Sequence, residues 1–296
     1  MRSGAIPETA QQSARKAKLG FSVVGLTGSG VTGIRARMAA DLAGEAVRAA
    51  ARAGVVQFDG PEGAEAPVAE VGQARFTLNM GGDCGPDQLS AKLSRARARL
   101  ARSAETSLVL CGARLLADDG DQLWTAALEL REAGNCVALG ISVEPGGDAL
   151  GLARRFKPDL MQARAGLLDQ RLIASGALGA IAGMGIEVHV RTTLLHGLLF
   201  MPREGLPAAL AEAGRQLSQV RRMIAEGGAD PLQAALAFVL DRPEASRVIV
   251  EAGSVSEVRA ILAAAGAPSP KLDWPSMALD HCAALDAEAG LSRRAA

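Results

Sequence analysis

The stretch VVQFDGPEGAEAP, residues 55–67, ends an apolar run in a carboxylate, Asp59, and then breaks into glycine, proline and glutamate. A carboxylate placed there can accept hydrogen bonds, balance a cation or move a proton. Other short apolar runs end in, or lead straight into, residues that carry chemistry: Asn79, Cys111, Ser142, Gln162 with Arg164, Arg191 with His196, and Glu251 with Ser254. The set offers a thiol nucleophile, amide and hydroxyl hydrogen bonders, guanidinium groups for anions and an imidazole. It has no metal signature, because Cys84, Cys111, Cys136 and Cys282 are widely spaced and no histidine stands near them to complete a zinc site.

The elements that must position these groups alternate along the chain. Eight short runs, FSVVGL, VVQFD, RFTLNM, SLVLC, VALGIS, DLMQA, IEVHVR and RVIVEAG, read as strands. Amphipathic stretches lie between them, among them residues 39–53, 87–101, 121–133 and 231–240, the last with Pro231 in a favourable first-turn position. Repeated strand–helix units specify a parallel sheet, and eight of them close into a single-domain (β/α)8 TIM barrel. In such a barrel the chemistry gathers at the C-terminal strand ends, where the residues above fall. The barrel is expected over residues 19–286, with a flexible N-terminal tail over 1–18 and a C-terminal tail over 287–296.

Bulk composition narrows the partners. The chain has 296 residues, 49% of them hydrophobic and 22% charged, with 32 basic and 32 acidic side chains that cancel. No global field draws it to nucleic acid or to an anionic membrane. No run is long and apolar enough to span a bilayer, the first twenty residues lack a signal-peptide core, and widely spaced cysteines with no C-x-x-C pair fit a reducing compartment, so a cytoplasmic protein is expected.

The second half carries a family likeness. LGISV followed by FKPDLMQARAGLLDQR, then GIEVHVRTTLLHGLLFMP, then DPLQAALAFVLDRPEASRVIVEAGSVSEVRAIL resemble the fifth to eighth strands of the aldo-keto reductases, including the loop that holds the cofactor phosphate. The resemblance runs from about Leu19 to Asp286. It implies a (β/α)8 barrel that binds NADP(H) and reduces carbonyls with a tyrosine acid, a lysine, an aspartate and a histidine. Asp59 matches the family aspartate. The tyrosine position is Ala64, and the whole chain contains no tyrosine, which excludes a phenol proton donor. The lysine position is Asn79 and the histidine position is Cys111.

The implied cofactor residues are mixed. Ser142 and Gln162 match positions that hold the nicotinamide carboxamide, Arg191 matches a polar position at the seventh strand's end, and Gly253 and Ser254 persist in the phosphate loop. The family asparagine after the sixth strand is Gly166, and its phosphate-loop glycine is Glu251. A carboxylate beside a pyrophosphate is repulsive by about 1 kcal/mol at 4 Å even in water. NADP(H) binding is therefore expected to be weak or absent. The glycine-rich VVGLTGSGVTG, residues 23–33, has neither a G-K-[ST] ending nor G-x-G-x-x-G and reads as a connector.

Two functions remain open at this level: a barrel retained to bind a small molecule or a protein partner, or an NAD(P)H-dependent oxidoreductase with another proton donor. Asp59 needs donors wherever it is buried, and Arg164, on the same strand face as Gln162, is a candidate partner. Arg164 and His196 are expected to line the pocket. Cys111 is either a reactive thiol or a small core residue. Glu62 and Glu65 read as solvated loop charges.

Overall fold

The computed structural model describes residues 10–23, 34–143, 146–191, 193–201, 206, 213–280 and 285; within these, the side chains of residues 34–40 and of His196 are not described. Eight parallel strands form a closed barrel in sequence order: β1 Leu19–Ser22, β2 Gln57–Pro61, β3 Arg75–Asn79, β4 Glu105–Cys111, β5 Ala138–Ser142, β6 Leu160–Arg164, β7 Glu187–Arg191 and β8 Arg247–Glu251. Closure comes from β1, which pairs Gly20 with Gln57 on one side and with Ile249 on the other. The expected single-domain (β/α)8 barrel is the fold observed.

Helices α1 Ala10–Lys18, α2 Ile34–Arg52, α3 Pro86–Arg99, α4 Gly112–Leu115, α5 Gly120–Glu132, α6 Ala149–Phe156, α7 Arg171–Ala174, α8 Ala177–Gly183, α9 Ala213–Glu226, α10 Pro231–Leu240 and α11 Val255–Gly266 complete the described structure. Their ends are chemically marked. Asp230 and Gln233 form a reciprocal capping box ahead of Pro231. Asp148 accepts from the Gly151 N–H at 2.8 Å to open α6, and Ser254 accepts from the Glu257 N–H at 3.2 Å to open α11.

Strand alternation sorts the side chains into two populations. The outward set, including Phe21, Phe58, Phe76, Leu108, Ile141 and Val250, is apolar and packs beneath the helices. The lumen is polar. Asp59 on β2 meets Gln162 on β6, which are not neighbouring strands, so their hydrogen bond crosses the barrel. Gln57 donates to Thr77 Oγ1 at 2.9 Å one layer below. Barrel interiors are usually filled by branched apolar residues, so burying this much polar surface requires the groups to satisfy one another.

The N-terminal tail expected over residues 1–18 is helical from Ala10. Arg15, 3% exposed, forks onto both carboxylate oxygens of Asp241 at 2.5 Å and donates to the Ala267 carbonyl at 2.7 Å. Lys18 donates to the carbonyls of Leu240 and Arg242 at the end of α10. Two basic side chains of this segment, Arg15 and Lys18, tie it down. All of the 23–33 connector beyond Val23, and the C-terminal tail over 287–296, lie outside the described residues.

Candidate active site at the C-terminal barrel mouth

Asp59 sits in the lumen with no exposed surface. Its Oδ2 accepts from Asn79 Nδ2 at 3.1 Å and from Gln162 Nε2 at 3.3 Å, and Arg191 Nε lies 3.7 Å away. Arg191 in turn donates to Gln162 Oε1 at 2.9 Å. The four side chains from β2, β3, β6 and β7 form one ring of interactions in which the carboxylate is balanced by a guanidinium and two amides. A buried carboxylate is tolerable only on such terms. Two acceptors are left over: Asp59 Oδ1 and Asn79 Oδ1 are buried without a hydrogen-bond partner among the described residues.

The cation beside Asp59 is Arg191, not Arg164. One position beyond Ala163 on β6, Arg164 donates instead to the backbone carbonyl of Leu285, itself 1% exposed. The shared strand face was legible, but the height of the guanidinium and the return of the C-terminal segment were not. Arg164 also borders a cavity of about 120 Å³ with Gly146, Gly147, Asp169 and Arg171. In the LLDQR run, Asp169 takes two hydrogen bonds from Arg171 at 2.9 Å, and Gln170 ties the carbonyls of Leu167 and Trp274. Those bonds brace the loop, with Asp169 and Arg171 forming one wall of the small cavity.

Cys111 and Ser142 end β4 and β5 as paired partners and are half-buried. Ala64 is buried next to Gly60. His196 belongs to the 3-10 helix Leu195–Phe200, but its side chain is outside the described set. Glu62 is bound by Arg95 at 2.8 Å. Glu65, expected to be a solvated charge, is fully buried. It accepts two bonds from the Gly63 N–H, at 2.9 and 3.0 Å, and faces Arg99 at 3.4 Å. A carboxylate two residues beyond a glycine can close its own loop, which the sequence alone does not distinguish from solvation.

At the far end of the mouth, Glu251 closes β8 with its side chain exposed, and Ser254 caps α11. A helix N-terminus preceded by glycine is a natural phosphate cradle. Here the Gly253 N–H donates to Glu257 Oε2 at 2.7 Å, so a carboxylate of the chain itself occupies that donor. Gly166 follows β6 in tight contact with the loop after β7: a Cβ there would stand 2.6 Å from the Thr193 carbonyl oxygen. An asparagine does not fit this backbone.

Searches against protein-family models and against curated proteins return no match. Solved structures do match. An aldo-keto reductase from Bacillus halodurans in its holo form superposes with a TM-score of 0.69 at 18% identity, over 86% of this chain and 88% of that one. The glycerol dehydrogenase from Gluconobacter oxydans gives 0.68 at 15% identity, over 86% and 88%. A thermostable aldo-keto reductase bound to the inhibitor epalrestat gives 0.67 at 17%, over 93% and 95%. The fold is that of the aldo-keto reductases.

Within an aldo-keto reductase fold, the residues expected to hold NADP(H) do not fit the cofactor well. Both ends of the Gln162 amide are engaged by Asp59 and Arg191. The Gly253 donor is engaged by Glu257, and the Gly166 backbone excludes a side chain. Among the described residues, no group of three or more His, Cys, Asp or Glu side chains could hold a metal ion, and no helix is long and apolar enough to cross a membrane.

Proposed function

We propose that this barrel does not carry out aldo-keto reduction and instead binds a small molecule at its C-terminal mouth. The observation that carries the reading is the company Asp59 keeps. Where the resemblance implies a lysine to be tuned by the aspartate, Asn79 donates an amide at 3.1 Å, and no tyrosine exists anywhere in the chain to receive the tuning. Groups of a catalytic unit act together, so the aspartate alone retains little of the unit's effect. Fold likeness does not oppose this, because function resides in the site.

The site favours a ligand rich in hydrogen-bond donors. Asp59 Oδ1 and Asn79 Oδ1 are buried acceptors without partners, and a hydroxyl, amine or amide of a ligand satisfies them at a gain of about 1 kcal/mol or more each. NADP(H) is a poor candidate, because it brings negative charge toward Glu251 and competes with Glu257 for the Gly253 N–H. A reducing, cytoplasmic setting belongs to the same proposal, resting on four cysteines widely spaced in the sequence with no C-x-x-C pair.

Titration with NADPH by fluorescence or calorimetry, followed by turnover against a panel of aldehydes, tests it. The expected result is no binding in the low micromolar range and no reduction above background. Tight binding together with aldehyde reduction would overturn the proposal. In the double variant Glu251→Gly/Glu257→Ala, NADPH binding is expected to strengthen about ten-fold, the effect of removing roughly 1.4 kcal/mol of competition and repulsion. An unchanged affinity would mean that these carboxylates are not what keeps the cofactor out.

A further inference from the structure

The opposite, N-terminal mouth of the barrel holds a second cavity, of about 410 Å³, lined by Gln57, Arg75, Glu105, Glu187, His189 and Arg247 among others. Its size lies in the range of small-molecule pockets. The strand order divides its charges. Arg247 on β8, Gln57 on β2 and Arg75 on β3 follow one another around one side of the ring, with β1 contributing only Gly20 between them. Glu105 on β4 and Glu187 on β7 flank the other side, where Ala138 on β5 and Leu160 on β6 supply an apolar wall. Asp159 also lines this acidic side, held by Arg131 at 2.8 Å and by the Leu139 N–H at 2.8 Å, so the mouth sets three carboxylates against two guanidiniums and is dipolar across its width.

These charges are not locked into the core. Arg75 pairs with Glu105 at 3.0 Å with both side chains about half exposed. Exposed pairs of this kind are weak and open readily to a competing ion. Arg247 donates to its neighbouring Ser246 carbonyl at 3.1 Å, its one side-chain hydrogen bond among the described residues. Glu187 meets His189 Nε2 at 3.4 Å. A hydrogen bond from His189 holds the Glu187 carboxyl below its usual range, against burial, and Arg247 and Arg75 add to the effect. The two arginines and the glutamate therefore share one field across the opening.

A second observation points to a ligand. His189 is 3% exposed and lines this cavity, and its Nδ1 has no hydrogen-bond partner among the described residues. With Nε2 directed to Glu187, Nδ1 is an acceptor waiting for a donor. It lies on the acidic side of the ring.

We propose that the N-terminal mouth binds a small zwitterion, its carboxylate toward Arg75 and Arg247 and its ammonium toward Glu105, Glu187 and His189. This site is independent of the C-terminal mouth and of what binds there. Neither a simple anion nor a simple cation uses both halves of the ring, whereas a molecule carrying both charges replaces two weak internal pairs at once.

The test uses the full-length protein and isothermal titration calorimetry with glycine, 4-aminobutyrate and 6-aminohexanoate, which span a range of charge separations. Butyrate and butylamine serve as single-charge controls. At least one zwitterion is expected to bind about ten-fold more tightly than either control, and Arg247→Met and Glu105→Gln are each expected to weaken it by a similar factor. On the unmodified protein, ¹⁵N spectra should show the His189 ring nitrogens shifting on saturation, a readout that does not depend on any variant folding. The chain has three histidines, so the assignment is tractable. Absence of zwitterion binding at millimolar concentration, equal binding of butyrate or butylamine, or an unperturbed His189 would each overturn the assignment.

Discussion

Asp59 is held by partners from three other strands, and removing one of them leaves charge where water cannot easily reach it. Arg191 is the only cation the ring contains, at 3.7 Å from the carboxylate and about one-third exposed. Arg191→Met keeps the bulk of the stem but deletes both the charge and the bond to Gln162 Oε1, so a loss of about 2–3 kcal/mol is expected in chemical denaturation. A loss below about 0.5 kcal/mol would show that water or Asn79 and Gln162 alone suffice. Gly166 offers a complementary experiment. Gly166→Asn restores the residue expected from the family resemblance, but its Cβ collides with the Thr193 carbonyl, so about 1–3 kcal/mol of destabilisation is expected and no gain in NADPH affinity. At this scale the sequence placed Asp59, Gln162 and Arg191 at one barrel mouth, because strand ends and alternation are readable from apolar runs. It did not place Arg191 beside Asp59, since choosing between two arginines on adjacent strands depends on register and on where Leu285 returns. Glu65 escaped for a related reason: a two-residue turn that buries its own carboxylate has the composition of an exposed loop.

The elements were legible where periodicity and caps agreed. Residues 231–240 form a helix with the expected limits, because Asp230, Pro231 and Gln233 mark its start in three chemically separate ways. The eight strands were legible because an apolar outward face recurs among them, although many of the alternate positions, facing the lumen, are polar. Helix α1 was not, since nothing apolar marks it as packed; it is anchored by Arg15 and Lys18, whose partners lie more than two hundred residues away. That anchoring sets a pH dependence. Burial opposes ionisation of Asp241, but hydrogen bonds from Arg15 and Ser269 and the charges of Arg15 and Lys18 outweigh it and hold the carboxyl below its ordinary value. A depressed carboxyl contributes stability above its unfolded pKa, about 3.9, and loses it as the pH falls through the lower folded value. Hydrogen exchange, corrected for intrinsic rates, is expected to show α1 losing protection as the pH falls below the unfolded carboxyl value, before β4 and β5 do. Arg15→Ala should remove that protection at neutral pH and lower stability by about 2 kcal/mol. A helix that stays protected in the variant would place its anchorage elsewhere.

Across the whole molecule, closure makes the barrel a cooperative unit: each strand is paired on both sides, so no edge can peel away at low cost. Cys136 reports on that cooperativity. It precedes β5, is 5% exposed, and burial pushes its thiol up from 9.0 to about 11. Cys84, beyond β3, is 1% exposed and is shifted upward by burial as well. Because the thiolate is the reacting form, both should resist alkylation at pH 8 while the protein is folded. In a Cys111→Ser/Cys282→Ser background, labelling of Cys84 and Cys136 is expected to proceed at one common rate that rises with denaturant along the global unfolding slope. Rapid labelling of either thiol without denaturant would mean that the barrel opens locally at that strand. The same shift fixes an alkaline limit. A thiol whose folded pKa is raised contributes stability in full below its unfolded value near 9, and the contribution fades as the pH climbs toward about 11, because ionisation then favours the open chain. Cys136→Ala should therefore flatten the alkaline fall in the denaturation midpoint over that window, at the expense of a small cavity near β5, whereas a fall of unchanged steepness would assign the alkaline limit to other groups.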